Sequence, residues 1–129
     1  MNIRDFFYNI IIAAKKILQQ ISYDAQKMDS VFEDHYLLEF YYLYPNVSSG
    51  TFAAKTNIPQ IKIDQYITEK YGLDFFQLSN KFRIEHFLGK NALVVSVENL
   101  DISSLKGSGF TNLVEFKNAF SIYAPISLN

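Results

Sequence analysis

The chain has 129 residues, of which 49% are hydrophobic and 19% charged, and its formal net charge is −1. This length and composition predict one globular domain, or one domain with an extension, and exclude a disordered chain, which needs fewer hydrophobic residues and a larger net charge. Because the chain has no cysteine and only two histidines, His35 and His86, the sequence excludes disulfides and thiolate zinc sites and offers no cluster of metal ligands.

Residues 1–45 predict two amphipathic helices that are rich in aromatic rings. Across residues 2–22 hydrophobic side chains recur every three or four positions, which produces a wide apolar stripe on one face of a helix. A second helix is predicted from Asp29, as its N-cap, to Tyr44. Pro45 ends this helix, because the residue before a proline is driven out of the helical conformation.

The longest apolar run of the chain does not predict a membrane span. It extends from Ile10 to Ala14 and is followed by Lys15 and Lys16. Such a run is too short to cross a bilayer, and it is not followed by the small-residue cleavage site of a secretory signal. We therefore expect a soluble cytoplasmic protein without a membrane partner.

The region after Pro45 begins with the signals of two short helices joined by a turn. Ser48 is a candidate N-cap, and Asn57 can end the first helix because it tolerates the left-handed conformation. Pro59 then opens a second helix, where its missing N–H costs nothing, and Gly72 closes that helix. A helix, a tight turn and a second helix form a helix-turn-helix unit.

A connecting helix is predicted from Asp74 to about Lys90, and a second unit follows it. Between them the β-branched run at 92–97 is compatible with a short strand or an extended segment. The tail repeats the pattern of helix, break and helix, with its break at 107–109. The hydrophobic residues that carry this pattern are Ile102, Leu105, Phe110, Leu113, Phe116 and Phe120. The predicted fold is all-α: two helix-turn-helix units joined by a longer connecting helix and preceded by an N-terminal helical extension.

Two segments of this region form a more specific pattern. The connecting helix contains Phe82-Arg83-Ile84-Glu85-His86, and the second unit contains Gly109-Phe110-Thr111-Asn112 followed by Phe116 and Phe120. Together with the first unit, these segments resemble the AraC/XylS family of bacterial transcription regulators, which has an Arg-Ile-Glu-x-Ala segment and a Gly-Phe…Phe…Phe spacing. The resemblance covers residues 46–129, which we interpret as an AraC-type domain, and residues 1–45 lie outside it.

The resemblance implies that the second helix of each unit enters the major groove of DNA. The DNA-facing positions carried over from the family are Gln60, Ile61, Lys62 and Gln65 in the first unit, and Thr111, Asn112, Leu113, Glu115 and Asn118 in the second. Gln and Asn can pair with adenine, and Lys with guanine or a phosphate. Four residues are expected to be structural, namely Arg83, Phe110, Phe116 and Phe120, with Arg83 paired to an acid between the units.

The sequence also departs from the family pattern. Pro59 replaces a capping Ser, Phe87 replaces a small Ala, and Leu105-Lys106 replaces an Ile-Ala pair with one residue too few before Gly109. No Arg lies on either predicted reading helix. Residues 46–129 carry a net charge of only +1, which leaves little surplus to neutralise phosphates.

Two functional hypotheses follow. The first is a small DNA-binding transcription regulator that reads two adjacent major-groove segments of double-stranded DNA. The second is a protein-interaction module on a degenerate helix-turn-helix scaffold that has lost or weakened DNA binding. Neither hypothesis predicts an enzyme, a cofactor or a metal.

Residues 1–45 also allow two interpretations. Their helices dock on the helix-turn-helix units and complete the core, or their exposed rings bind a second copy of the chain in a homodimer, because Tyr and Phe are enriched at the cores of interfaces.

Overall fold

The computed structural model describes residues 2–90 and 100–124, with side chains except at 21–23 and 90. Within these residues the chain is helical and contains no strand, which confirms the predicted all-α class. The α-helices are α1 (Ile3–Phe32), α2 (Ser49–Thr56), α3 (Gln60–Tyr71), α4 (Phe75–Lys90) and α5 (Leu113–Tyr123). Shorter helical segments are a π-helical turn (Glu33–Leu37) and two 3-10 turns (Tyr41–Leu43 and Ile102–Leu105). The strand or extended segment considered at 92–97 lies outside the described residues.

The N-terminal region forms one long helix where the sequence predicted two. Asn2 caps α1, because its side chain accepts a hydrogen bond from the backbone N–H of Asp5 at 2.8 Å. The predicted N-cap at Asp29 is wrong, since Asp29 lies inside α1. No Gly or Pro interrupts the chain before Pro45, so the intrahelical hydrogen bonds continue through this point.

The chain leaves the helical conformation before the predicted end at Tyr44. Phe40 takes a left-handed conformation, with φ 53° and ψ 44°, and a 3-10 turn follows it. Tyr44 is extended, with ψ 138°, as expected for the residue before Pro45. The proline therefore acts as predicted, but the long helix has already ended.

A first hydrophobic core joins the end of α1 to α2, α3 and α4. Its centre is the ring of Tyr36, which stacks on Phe32 with a centroid distance of 4.3 Å and forms a hydrogen bond with the Ser79 hydroxyl at 2.8 Å. The buried residues of this core are Phe32, Tyr36, Tyr42, Phe52, Ile63, Ile67, Phe75 and Leu78. Residues 28–45 thus complete the core of the helices that follow, whereas the side chains described in the first 20 residues of the chain are almost all exposed.

Most helix boundaries after Pro45 are those that the sequence predicted. Ser48 caps α2 in a capping box with Thr51, and Asn57 ends α2 with φ 57°. Gly72 ends α3 with φ 69°. Pro59 occupies the N-cap position of α3, one residue before the predicted first turn. These local signals suffice because each one satisfies a hydrogen-bonding or conformational need of a helix end.

The second unit is smaller than predicted. Its expected first helix is a single 3-10 turn, Ile102–Leu105, whose N-cap Asp101 accepts hydrogen bonds from Ser103 and Ser104. The Ser108 hydroxyl donates a hydrogen bond to the Leu105 carbonyl at 2.6 Å and so competes with the helical backbone, and Gly107, with φ +79°, lies between these residues. A second core nevertheless forms between α4 and α5 from Ile84, Phe87, Leu105, Phe110, Phe116, Ala119 and Phe120.

Arg83 of α4 connects the two cores. Only 6% of its surface is exposed, and its Nε and a terminal nitrogen donate hydrogen bonds to the backbone carbonyls of Tyr42 and Tyr44. Its guanidinium also lies 5.6 Å from the centroid of the Phe110 ring. The acid expected beside Arg83 is replaced by carbonyl oxygens, and among the described residues no carboxylate forms an ion pair with it.

Gly109 allows the loop before α5 to lie against this arginine. Its φ is +88°, and a Cβ at this position would lie 2.5 Å from Arg83 Nε and 2.7 Å from the Tyr42 carbonyl oxygen. The backbone carbonyl cannot shift without disturbing the Arg83 hydrogen bond, so only glycine fits here.

We expect Gly109→Ala to lower the free energy of unfolding by about 3 kcal/mol, since it combines a left-handed alanine with overpacking. Gly107→Ala is the matched control, because Gly107 has φ +79° and open space around its Cβ position. The control should cost about 1 kcal/mol, for the conformation alone. Urea unfolding of both variants measures the difference, and equal costs would show that the close approach at Gly109 contributes nothing.

The contact between α1 and α3 should make stability depend on pH. Asp29 accepts hydrogen bonds from the Lys70 ammonium at 2.7 Å and from the Tyr66 hydroxyl. These bonds hold the pKa of the Asp29 carboxyl below its ordinary value of 3.8. A depressed pKa in the folded state stabilises the fold above pH 3.8, and this contribution is lost as the pH falls through the folded-state pKa.

Asp29→Asn should therefore destabilise the protein at neutral pH, and the difference from wild type should shrink as the carboxylate of the wild type becomes protonated. Urea unfolding over a pH series checks this. Asp24→Asn is the control on the same helix, because in the described part of the chain Asp24 forms no ion pair. A difference for Asp29→Asn that stays constant down to about pH 3 would contradict the prediction.

Candidate nucleic-acid interface

The exposed face of α3 follows from the way in which its opposite face is anchored. Ile63 and Ile67 are spaced by four residues and are fully buried in the first core. The turn before α3 is short, because Asn57 reverses the chain in a left-handed conformation and Pro59 restarts the helix. The first two turns of α3 therefore emerge from a fixed point and present their remaining side chains to solvent.

The four DNA-facing residues predicted in the first unit lie together on this surface. Gln60, Ile61, Lys62 and Gln65 are all exposed, with Ile61 65% exposed. The amide nitrogen of Gln60 donates a hydrogen bond to the Ser49 hydroxyl at 2.9 Å, which ties the start of α3 to the start of α2.

The residues predicted in the second unit lie at and near the N-terminus of α5. Thr111, Asn112, Glu115 and Asn118 are exposed, but Leu113 is half-buried against the second core, so its predicted exposed position is wrong. Leu113 turns inward because it shares a helix face with Phe116 and Phe120.

Two of these second-unit residues already have a structural role. Asn112 is the N-cap of α5, and its side-chain oxygen accepts a hydrogen bond from the backbone N–H of Glu115 at 2.8 Å. The Thr111 hydroxyl donates to the Glu115 carboxylate at 3.3 Å. The cap leaves the amide nitrogen of Asn112 free of its hydrogen bond, so this group can donate to a further partner. The side chain of Asn118 has no capping role on α5.

The exposed charges of α3 and α5 nearly cancel. On α3 the exposed cations are Lys62 and Lys70, and the exposed acids are Asp64 and Glu69. Lys70 is bound to Asp29, whose hydrogen bond raises the pKa of this lysine, and Lys55 of α2 is bound to Glu39 at 2.7 Å. Within residues 2–90 and 100–124, Lys62 and Lys117 form no ion pair.

Three residues that were not predicted from the sequence complete the surface of α3. Asp64, Thr68 and Glu69 line a shallow depression together with Ile61 and Gln65. The signal was present in the sequence, because Thr68 follows Ile61 and Gln65 at helical spacing and so lies on the same face. The exposed face of α3 is therefore more acidic toward its C-terminal half than the carried-over residues alone suggested.

The described residues contain no group of three or more His, Asp or Glu side chains arranged to hold a metal ion. None of the helices in the same part of the chain combines the length and the hydropathy that crossing a membrane requires.

We expect the capping role of Asn112 to be measurable separately from any binding role. Asn112→Ala should lower the free energy of unfolding by about 1 kcal/mol, and Asn112→Ser should restore most of it because Ser is also a good N-cap. Asn118→Ala, on the exposed face of the same helix, should change stability by less than about 0.5 kcal/mol. Thermal or urea unfolding of the three variants tests this, and an Asn112→Ala variant as stable as wild type would refute the capping role.

Comparisons with protein-family models, curated proteins and solved structures give no match for this chain. The resemblance to the AraC/XylS family therefore stays a prediction from the residues quoted above.

Proposed function

We propose that the chain is a small bacterial DNA-binding transcription regulator of the cytoplasm, with α2, its turn and α3 acting as a helix-turn-helix. The observation that carries the proposal is the start of α3. Directly after a tight turn, Gln60, Lys62 and Gln65 are exposed on two turns of a helix whose other face is buried. An α-helix presented in this way fits the major groove, where Gln pairs with adenine and Lys contacts guanine or a phosphate.

The second unit contributes to the same proposal through α5. Asn118 and the amide of Asn112 can donate hydrogen bonds to an adjacent groove segment, whereas Glu115 can accept from cytosine but repels phosphates. The core between α4 and α5 and the buried Arg83 fix α5 to the first unit. We assign base reading mainly to α3 and a weaker contact to α5.

Because α3 and α5 together offer only two unpaired lysines among the described residues, Lys62 and Lys117, one chain is a weak DNA binder. Affinity for the DNA backbone grows with the number of phosphates that Lys and Arg neutralise. The proposal therefore includes a homodimer formed through residues 1–45, which presents two reading units to one duplex.

A protein-interaction module is the second candidate function, and one observation favours it. The exposed face of α3 combines Ile61 with Asp64 and Glu69 around a shallow depression, which suits an apolar or basic protein surface better than a polyanion. In this alternative the chain keeps the helix-turn-helix scaffold and has lost or weakened its affinity for DNA.

A salt titration with matched lysine variants separates the two functions. We expect the full chain to bind a mixed-sequence DNA duplex with an affinity that falls steeply as salt rises. Lys62→Gln should weaken binding several-fold and reduce the salt slope by about one. Fluorescence anisotropy of a labelled duplex gives both quantities.

Lys27→Gln is the control for this experiment, because it removes the same charge from an exposed position on α1. It should leave the affinity and the slope near those of wild type. Gln65→Ala should change which sequences are selected from a randomised duplex pool, since Gln65 is assigned to base reading. If the folded chain shows no salt-sensitive binding to any duplex, the DNA proposal fails and the interaction module becomes the better account.

A further inference from the structure

The N-terminal part of α1 carries an apolar surface that the described chain leaves uncovered. Seven large hydrophobic side chains on one side of the helix are between 48% and 74% exposed: Ile3, Phe6, Phe7, Ile10, Ile11, Ile17 and Leu18. We call these residues the α1 stripe. An exposed apolar patch of this extent is typical of an interaction site.

The same side of α1 is covered further along the helix. Met28 follows Ile3 by 25 residues, and Phe32 follows Phe7 by the same number. Because each residue of an α-helix turns the chain by about 100°, side chains 25 residues apart point within about 20° of the same direction. Met28 is half-buried against the first core, and the ring of Phe32 lies 5.4 Å from that of Tyr66 and 6.1 Å from that of Phe52. One continuous face is thus covered by the chain's own core at its C-terminal end and exposed at its N-terminal end.

We infer that a second copy of this chain covers the α1 stripe, and that the two helices pair in an antiparallel orientation, crossing near Ile10. This inference rests on the homodimer proposed above, and it identifies the residues and the orientation of its interface. Sterics, side-chain sizes, exposed area and charge all support this pairing.

Steric exclusion fixes the orientation of the partner helix. A packed helix lies about 8–10 Å from its neighbour, on the side of the stripe. A parallel partner would continue along α1 toward residues 28–32, where Phe52 and Tyr66 already occupy that side. Two parallel copies would therefore bring each core into the path of the other helix.

An antiparallel partner avoids this collision. With a crossing near Ile10, residue 28 of the partner lies about 27 Å from the crossing, whereas Ile3 lies only about 10 Å from it. The folded part of each copy therefore starts beyond the N-terminus of the other helix, and the two stripes cover each other along their whole length.

Large side chains of one copy face small side chains of the other. In an antiparallel pair that crosses near Ile10, residue numbers at facing positions add up to about 20. Phe6 and Phe7 of one chain then face Ala13 and Ala14 of the other, and Ile3 faces Ile17. A ring set against a small side chain allows close packing, as ridges fit into grooves between helices.

The exposed area of the α1 stripe and the charges beside it also fit a second copy. The stripe offers on the order of 800 Å² of exposed surface per chain, which is close to what one partner buries in a stable protein interface. Arg4 and Lys15 flank the stripe and Lys16 lies behind it, so like charges need not be buried between the two copies.

Cysteine crosslinking tests the inference cleanly, because the natural chain has no cysteine. A mixture of the Ile3→Cys and Ile17→Cys variants should form a disulfide-linked heterodimer under mild oxidation, whereas either variant alone should crosslink poorly. Ile10→Cys alone should crosslink efficiently, since it faces its own copy at the crossing. Efficient crosslinking of Ile3→Cys with itself would indicate a parallel pair and would overturn the orientation.

Sedimentation analysis tests the partner itself, in the absence of DNA. The wild-type chain should be a dimer, and Ile10→Glu should be a monomer with an unchanged helical circular dichroism spectrum. Leu38→Glu is the control, because Leu38 is an exposed large hydrophobic residue outside the stripe. A wild-type chain that is monomeric in this experiment would overturn the inference.

Two further measurements distinguish this inference from other outcomes. If the chain is monomeric and instead sediments with vesicles that contain anionic lipid, the stripe is a membrane-surface helix and the second copy is wrong. If the chain is an antiparallel dimer but shows no salt-sensitive DNA binding, the inference holds and the DNA proposal fails.

Discussion

The guanidinium group of Arg83 is the point at which three segments of the chain meet. It donates hydrogen bonds to the carbonyls that follow α1, lies beneath the loop that precedes α5, and belongs to α4, which contributes to both cores. Burial lowers the pKa of this arginine, which reflects the cost of removing its charge from water. Hydrogen bonds from a charged donor are stronger than neutral ones, and here one of them satisfies the buried carbonyl of Tyr42. The geometry of the candidate interface depends on these contacts of Arg83, because they fix the position of α5 relative to the helices that pack against α3.

Local signals in the sequence were sufficient to predict the fold class and most helix ends after Pro45. Ser48, Asn57 and Gly72 each satisfy a need of one helix end, so their effect does not depend on the rest of the chain. The break predicted at Asp29 failed for the opposite reason. A good N-cap residue can also lie inside a helix, and the partners that hold Asp29 there, Tyr66 and Lys70, are far away in sequence.

The candidate site was predictable in position but not in the state of its side chains. The resemblance predicted that Gln60, Ile61 and Gln65 lie on an exposed surface, and all three are exposed in the structure. The resemblance did not reveal that Asn112 is used as a cap, which depends on where α5 begins. It also made Leu113 an exposed position, although helical spacing groups Leu113 with Phe116 and Phe120, against which it packs. The partners of Arg83 could not be predicted from the sequence either, because they are backbone carbonyls, which every residue has.

In the proposed dimer, a second reading unit compensates for the low net charge of each reading surface. In an antiparallel pair the two folded parts begin about 54 Å apart along α1, which exceeds the 34–36 Å of one DNA turn. In this proposal the two reading units lie beyond these points and engage segments of one duplex that are more than one turn apart. Simultaneous engagement raises the overall affinity through the effective concentration of the second unit, without any added phosphate contact. In this proposal a chain with only two unpaired lysines on the described parts of α3 and α5 binds DNA through two linked contacts, each of which is weak by itself. The α1 stripe is then as important for the proposed binding as the residues on α3.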